Sequence, residues 1–391
     1  MLSLILLTLL HQTVSSFIKT KYTNLGNYLI YLNIPQQRKY GYYKINQQES
    51  TSYINNLDIN KNKVIKKDTI TFNRKQYERY LLNEEIKIDN YSFPLTVYHI
   101  VDPPFLNMEY SGISLSLSSN EDESLIAQLY NAGIISKKLY AFESSDDNLG
   151  DFYIGEIPKA LIAYKNFGSC QVRENYWGCS MSSVSLQFHN KVRLSYPNSY
   201  KTKFQVGYEK IYAPRDFLLY VEQNYLKELF DRHLCLYRTS FDYTSIICKL
   251  ESGIEDIMPT RITFTFDDYV FSVPSEIMFT FEVDKGYGVV YEFQIVESKD
   301  VNDENFWIFG GYFFQNFISV FDYESRSVTL YSSGKIEKIK IESIYESKFI
   351  NYAMKVVFII CISVISLGFF IISVSSFNKS KLKSTKIMTL L

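Results

Sequence analysis

The stretch FWIFGGYFFQNFISVFDYESRSVTLYS, residues 306–332, closes on SVTLYS, a short run of β-branched and aromatic residues that predicts a strand. Similar runs recur along the chain: GNYLIYLNI, DTITF, EEIKI, PLTVYHI, RITFTF and YVFSV. Helical spacing occurs in SLIAQLYNAGII and FLLYVEQNYLKELFDR, which occupy similar positions in the two halves. The pattern predicts an all-β fold with a few short helices, and the placement of the helical stretches suggests a duplicated, bilobal design.

Five fragments of the chain occur in the same order as the segments of one known family. Residues 306–332 resemble the W-I-L-G-D-x-F-L-x-x-Y-x-x-V-F-D segment of the pepsin-like aspartic proteases, peptidase family A1. The other four similar fragments are YLNIPQQRKYGYY (residues 31–43), YSGISLSLSSNEDESLIAQLYNAGIISKKLYAF (110–142), GDFYIGEIP (150–158) and the order Cys235, Pro259, Pro274. The resemblance implies two β lobes, each contributing one Asp from an Asp-Thr-Gly or Asp-Ser-Gly loop, and a hairpin flap over the cleft between them.

Neither catalytic motif of that family is present in this sequence. The aligned motif positions are held by Lys44, Ile45 and Asn46 in the first loop and by Gln205, Val206 and Gly207 in the second. The family's chemistry needs two close carboxylates that share a proton, because one activates a water molecule and the other protonates the developing oxyanion. Lysine and glutamine cannot take these roles. The resemblance therefore predicts an inactive relative, a pseudoprotease.

The flap implied by the resemblance is also altered. Phe72 stands where the family has a tyrosine, so the flap has no hydroxyl there, and residues 79–86 form the returning strand. Asn73 and Lys75 replace the flap glycines. Asp68, on the strand that leads into the flap, begins the nearest approach to a catalytic motif, and we interpret it as a solvated acid.

The cleft is expected to bind a peptide or a partner protein, with Phe72, Lys44 and Gln205 as binding residues. Lys44 has two interpretations: a cation at the cleft floor that favours acidic groups, or a solvated loop residue. The alternative function is an active aspartic endopeptidase with displaced acids, for which Glu49 and Glu209 are the nearest candidates. Binding of pepstatin, whose hydroxyl needs the carboxylate pair, distinguishes the two functions.

Both ends of the chain predict membrane targeting. Residues 1–16, MLSLILLTLLHQTVSS, predict a signal peptide. The uncharged run Val356–Phe377 predicts a transmembrane helix over 354–377. A helix of this length, at about 1.5 Å per residue, crosses a hydrocarbon core of roughly 30 Å. Four lysines and no acid in residues 378–391 predict a cytosolic tail.

The prediction is thus a single-pass type I membrane protein with its ectodomain outside the cell or in the endomembrane lumen. We expect an N-terminal β lobe with the flap at 17–180 and a C-terminal β lobe at 181–350. The first predicted strand follows the signal peptide so closely that no inhibitory prosegment is expected, which fits a protein that does not cut. The chain has a net charge of −1 and no basic domain, so no nucleic-acid partner is expected.

Cysteine and histidine spacing bear on cross-links and metals. The four cysteines outside the predicted membrane helix are Cys170, Cys179, Cys235 and Cys248. Sequential pairing is the simplest of their three connectivities, and the spacings do not fit a zinc site. The sequon at Asn90 predicts glycosylation in a lumenal compartment. No cofactor or metal is expected, because His99, His189 and His233 are isolated along the chain.

Overall fold

A computed structural model gives the structure of the chain between its two ends. The described residues are 18–24, 28–47, 52–54, 59, 64–72, 75–100, 112–117, 124–144, 149–157, 167–187, 193–196, 200–240, 242–249, 259–274, 278–284, 288–299, 306–332 and 336–338. They belong to one compact unit, 1–338. The predicted signal peptide (1–16), membrane helix (354–377) and tail (378–391) lie outside them. Within the described set, no helix is both long and apolar enough to cross a bilayer.

The strands form two large sheets. The first contains β1 (Ile18–Asn24), β2 (Tyr28–Ile34), β3 (Lys39–Asn46), β4 (Val64–Phe72), β5 (Lys75–Ile88), β6 (Tyr91–Ile100), β7 (Gly112–Ser114), β8 (Leu139–Ser144), β9 (Leu149–Ile154), β10 (Phe167–Gln171), β23 (Ile318–Asp322) and β24 (Ser327–Tyr331). The second contains β11 (Ser180–Gln187), β12 (Arg193–Tyr196), β13 (Tyr200–Phe204), β14 (Ile211–Ala213), β15 (Cys235–Thr239), β16 (Tyr243–Lys249), β17 (Arg261–Phe266), β18 (Tyr269–Pro274), β19 (Phe279–Asp284), β20 (Gly288–Phe293), β21 (Ile295–Ser298), β22 (Phe306–Phe309) and β25 (Ile336–Lys338).

The first sheet draws its strands from distant parts of the chain. Its order is β10-β24-β23-β8-β9-β1-β2-β3-β7, and the β4–β5–β6 strands join it where β5 pairs with β2. β23 pairs antiparallel with β8, which sets Phe321 opposite Tyr140. β24 pairs with β10, which sets Val328 opposite Cys170. The stretch 306–332 therefore contributes one strand to the second sheet and two to the first.

Strand β2 shows why these sequences form half-buried strands. Its apolar positions alternate, and Tyr28, Ile30, Leu32 and Ile34 are each 0% exposed. Side chains of a strand alternate between faces, so this spacing places all four on the core side. Burial of each such side chain contributes roughly 1.5–3 kcal/mol. The predicted run GNYLIYLNI is therefore confirmed as a strand.

Helices are short and few in the described chain. They are Leu125–Asn131, Arg215–Val221, Lys227–Asp231 and Gly311–Phe314, with a 3-10 turn at Pro35–Gln37 and a π segment at Glu222–Leu226. The first begins after Ser124, whose hydroxyl accepts a hydrogen bond from Ala127 N. It ends before Gly133, which has a φ of 70° and lets Ile134 N donate to Leu129 O. This glycine ends the helix several residues earlier than the apolar spacing of SLIAQLYNAGII predicts.

Aromatic side chains fill the contact between the two sheets. Trp177 is 1% exposed, and its Nε1 donates to Leu115 O at 2.7 Å, while its own carbonyl accepts from Phe204 N at 2.7 Å. The Trp177 ring meets Tyr140 and Phe321 edge-on, with centroids 5.8 and 5.2 Å away. One tryptophan thus contacts strands of both sheets. The predicted all-β, bilobal architecture with a few helices is confirmed.

Candidate functional site

The first predicted motif lies at the end of β3. This strand pairs in parallel with β7, which sets Lys44 opposite Gly112 and Ile45 opposite Ile113. Ile45 is 1% exposed and fixes the strand end in the core, whereas Lys44 is half-buried. The backbone of Asn46 completes β3, and its side chain lies outside the described set.

The second predicted motif directly follows β13, which pairs in parallel with β22. Gln205 N donates to Phe309 O at 2.9 Å, and Tyr208 N donates to Gln205 O at 3.0 Å. Residues 205–208 therefore form a tight turn, in which Val206 is 0% exposed. Each motif stands at the end of one strand of a parallel pair, as expected of a duplicated design.

The two loops contact each other at Gly207. A Cβ atom added there would lie 2.8 Å from Cε of Lys44 and 2.9 Å from the carbonyl oxygen of Ile45. Because any larger residue would collide with that backbone oxygen, glycine allows the close approach. The structure thus brings together Lys44 and Gly207, which come from separate sequence fragments. We call residues 44–47 and 205–207 the loop junction.

A buried glutamine that sequence reasoning missed ties the two loops together. Gln47 Oε1 accepts a hydrogen bond from Val206 N at 2.8 Å, and Gln47 Nε2 donates to the Tyr140 hydroxyl at 2.7 Å. Burial raises the pKa of Tyr140 well above its ordinary value, so this hydroxyl stays neutral. The position of Gln47 directly after the first motif was the one available signal.

The described side chains of the loop junction include one amine and two amides but no carboxylate. The Lys44 ammonium lies 5.6 Å from the centroid of the Tyr208 ring, across the junction from its own strand. A cation over an aromatic face gains about 0.5–2 kcal/mol, depending on its exposure. Lys44 therefore packs on the second loop. This contact differs from the interpretation of Lys44 as a solvated loop residue.

The displaced acids considered from the sequence are not brought into this contact. Glu209 is exposed, and the Tyr312 hydroxyl donates to its Oε1 at 3.5 Å. Its backbone carbonyl accepts from Tyr312 N at 2.9 Å, which fixes this side of the loop against residue 312. Glu49 lies outside the described residues.

Gln205 occupies the predicted first position of the second motif and is buried. It is 3% exposed, and neither Nε2 nor Oε1 has a hydrogen-bond partner among the described residues. Its backbone groups, by contrast, are both bonded: the N–H donates to Phe309 O on β22, and the C=O accepts from Tyr208 N in the turn. The side-chain amide of Gln205 is thus an unsatisfied polar group inside the protein.

An ion-paired group lies three residues beyond Gly207. Lys210 is 5% exposed, and its Nζ donates to Glu292 Oε2 at 2.9 Å and to Gln294 Oε1 at 2.6 Å. Arg238 pairs with the other carboxylate oxygen of Glu292, and the Glu292 residue is 0% exposed. We call Lys210, Arg238, Glu292 and Gln294 the ionic cluster. Sequence reasoning missed it, because its members come from three distant stretches of the chain: Lys210, Arg238 on β15, and residues 292–294 at the end of β20.

The predicted flap is a hairpin of β4 and β5. Phe72 pairs with Lys75 next to the hairpin tip, and the returning strand continues to Ile88. The hairpin geometry agrees with the flap position, although the Phe72 side chain lies outside the described set.

Asp68 is not the solvated acid expected from the sequence. It lies in the middle of β4 opposite Arg79, whose guanidinium bonds to both of its carboxylate oxygens. Arg79 Nη1 also donates to the Tyr53 hydroxyl at 3.0 Å. The hydrogen bonds from Arg79 are the main reason that the pKa of Asp68 is lowered below its ordinary value. This acid anchors the base of the flap.

The remaining predicted residues have ordinary surroundings. Both predicted disulfides are present, Cys170–Cys179 and Cys235–Cys248. Asn90 is exposed in the turn between β5 and β6. His99 is buried with Nδ1 3.3 Å from Ile54 O, His233 is exposed in a turn, and His189 is outside the described set. Within the described set, no three His, Cys, Asp or Glu side chains are grouped as metal ligands would be.

Comparison with known proteins agrees with this fold. The crystal structure of an aspartic proteinase from Irpex lacteus superposes with a TM-score of 0.62 at 12% identity, covering 81% of this chain and 97% of that chain. A search of curated proteins finds no match. The family model described as eukaryotic aspartyl protease matches residues 84–332, which include the second motif but begin after the first. Since this match spans more than half of the sequence, the chain belongs to the eukaryotic aspartyl protease family.

Proposed function

We propose that this chain is a catalytically inactive aspartyl protease relative that binds a peptide or partner protein between its lobes. The observation that carries the proposal is the composition of the loop junction. Lys44 and Gln205 hold the two positions where the family's chemistry needs acids, and the loops that carry them are in contact. An acid and a base each typically contribute about 100- to 10,000-fold to the rate of such a reaction.

The junction is well ordered by interactions that have no role in acid–base chemistry. Gln47 joins Val206 to Tyr140 through two buried hydrogen bonds, and the Lys44 side chain lies over Gly207. The flap hairpin is retained, and Arg79 fixes its base to Asp68 and Tyr53. A chain that keeps the cleft-forming elements without the acids is suited to hold a polypeptide and not to cut it.

An active endopeptidase with displaced acids is the competing function. Full-length protein in detergent, incubated with acid-denatured casein between pH 3 and 7, is expected to release no fragments. Pepstatin is expected to leave the melting temperature of the full-length protein unchanged. Cleavage or a pepstatin-induced rise in melting temperature would refute inactivity. Loss of that activity in Glu209→Gln would then identify the displaced acid.

The proposal includes a membrane anchor. We infer an ectodomain outside the cell or in the endomembrane lumen, a helix over 354–377 and a cytosolic tail, all from the sequence pattern at the two ends. Asn90 offers the test, because its turn is exposed to a glycosyltransferase. Protein from a eukaryotic host should shift in mass on treatment with an N-glycosidase, and Asn90→Gln should abolish the shift. Protease can also be added to the cytosolic side of intact membrane vesicles that contain the parent chain. If the chain is unglycosylated and this protease degrades the domain that precedes the proposed helix, the orientation is wrong.

A further inference from the structure

Among the described residues three glutamine side chains are buried, and they differ in one respect. Gln47 and Gln294 each donate and accept side-chain hydrogen bonds: Gln47 with Tyr140 and Val206, Gln294 with Thr280 and Lys210. Gln205 does neither with any described residue, although it is only 3% exposed.

An amide left in this state lowers stability. Burying a donor or an acceptor without a partner costs the free energy of its lost bonds to water, and native proteins contain few such groups. Methionine or leucine of similar size would avoid the cost at the same site. Other described side chains, such as Trp307 and Ser319, leave one buried polar atom unbonded, whereas Gln205 leaves both its donor and its acceptor unbonded. This pair of unbonded atoms is what we interpret as the place of an absent partner.

The chemistry of the amide limits what the partner is. A glutamine side chain offers N–H donors and a carbonyl acceptor side by side. A carboxylate ligand only accepts and an ammonium only donates, so each would leave one half of the amide unpaired. A peptide group carries one N–H and one C=O and can pair with both halves.

The position of Gln205 brings such a ligand to the loop junction. Gln205 lies two residues before Gly207, where the second loop contacts the first. Two groups lie against Gly207: the backbone oxygen of Ile45, which is fixed in β3, and the alkyl chain of Lys44, which has several rotatable bonds and can move aside at low cost.

We propose that Gln205 recognises the backbone of a bound polypeptide, forming one hydrogen bond to a C=O and one to an N–H of the ligand's main chain. This inference rests on the proposed function, since it assigns a ligand class and a recognition residue to the same site. Recognition through the main chain does not depend on the ligand's side chains at that position. The predicted ligand is therefore an extended polypeptide segment.

The test uses Gln205→Met, which keeps the length of the side chain and removes both polar atoms. Gln294→Met is the matched control, because Gln294 is equally buried but fully bonded. Full-length parent and variant proteins in detergent are incubated with a casein digest of short peptides. Retained peptides are identified by mass spectrometry, and one is labelled for affinity measurement.

We expect Gln205→Met to bind the labelled peptide about tenfold or more weakly, while its melting temperature is unchanged or higher. Gln294→Met should melt at a lower temperature and bind the peptide as the parent does. A series of peptides N-methylated at one position each should contain one member that binds the parent weakly. That same peptide should bind Gln205→Met no worse than its unmethylated form.

The outcomes separate the inference from the proposed function. Retention of peptides by the parent with equal affinity in Gln205→Met would refute recognition by Gln205 and leave peptide binding intact. A lower melting temperature of Gln205→Met would show that its amide is already satisfied, which also refutes the inference. Failure of the parent to retain any peptide would overturn peptide binding and the role of Gln205 together.

Discussion

The loop junction and the ionic cluster lie only three residues apart along the second loop, yet they treat charge in opposite ways. The cluster buries the carboxylate of Glu292 between Lys210 and Arg238. The junction has no carboxylate among its described side chains, and its amide at Gln205 is unpaired. A general loss of buried charge from the core therefore does not explain the missing acids.

The buried acid of the ionic cluster is the one that faces cations. Two carboxylates facing each other repel, so one must take up a proton; this arrangement lowers stability, and we expect it to be kept only where a reaction requires it. A carboxylate between two cations has no such conflict. Among the described residues, the buried carboxylate of Glu292 follows this rule, and the loop junction holds no carboxylate.

The largest effect on stability is expected at the centre of the ionic cluster. Glu292→Gln leaves the buried ammonium of Lys210 and the partly buried guanidinium of Arg238 without a counter-charge, and we expect a loss of about 3–5 kcal/mol in the free energy of unfolding. Urea unfolding followed by tryptophan fluorescence measures it. Asp231→Asn, which breaks the exposed pair with Lys227, is the control and should cost at most about 0.5 kcal/mol. Equal effects of the two variants would contradict a paired, desolvated cluster.

Within the junction, Gln47 should matter for stability. Gln47→Met deprives Val206 N of its acceptor and the Tyr140 hydroxyl of its donor, and each buried group left unpaired costs about 1–3 kcal/mol. The same unfolding assay measures the loss. Gln36→Met, at an exposed glutamine that bonds to Glu85, should change stability by less than about 0.5 kcal/mol. A neutral result at Gln47 would mean that the loops are not joined by this side chain.

The close approach of the loops can be tested at Gly207. Gly207→Ala places a methyl group against Lys44 Cε and Ile45 O, and such overpacking costs about 1–3 kcal/mol. Lys44→Ala removes the flexible contact but not the backbone one, so the double variant should recover only part of the loss. Full recovery would show that the backbone contact is absent, and no loss in Gly207→Ala would show that the loops stand further apart.

The smallest effect is expected at the flap. Asp68→Asn weakens the bond to Arg79 and should lower local flap stability by about 0.2–1 kcal/mol, seen as faster amide hydrogen exchange in β4 and β5. Glu78→Gln, which loses the more exposed pair with Lys67, should change exchange less.

Acid should reproduce the effect of Asp68→Asn. Because the pKa of Asp68 is lowered in the folded protein, its contribution is present above the unfolded value of about 3.9 and is lost as pH falls through the folded value. Exchange in the flap should therefore accelerate below about pH 4 in the parent, beyond the ordinary pH dependence of exchange, and less so in Asp68→Asn. Identical acid profiles for the two proteins would exclude this role.

Local patterns in the sequence predicted the strands and the disulfide pairs, because alternation and loop closure act over short distances. The end of the first helix was placed too late, since Gly133 stops it before the apolar spacing ends. Gln47 and Glu292 could not be found in this way. β20 has consecutive buried residues around Glu292, so alternation does not mark that acid as a buried partner. Its cation Lys210 is brought to it only by strand pairing in the second sheet.

Because β23 and β24 belong to the first sheet, this sheet can be completed only late in synthesis of the chain. β8 is complete when the ribosome has made residue 144, but its neighbour β23 is complete only at residue 322 and β24 only at residue 331. At common elongation rates the delay is roughly 10–40 s. During this time one edge of β8 is unpaired and open to chaperones or to other nascent chains. Because the first sheet includes β23 and β24, a chain truncated before residue 318 should not form a folded first sheet.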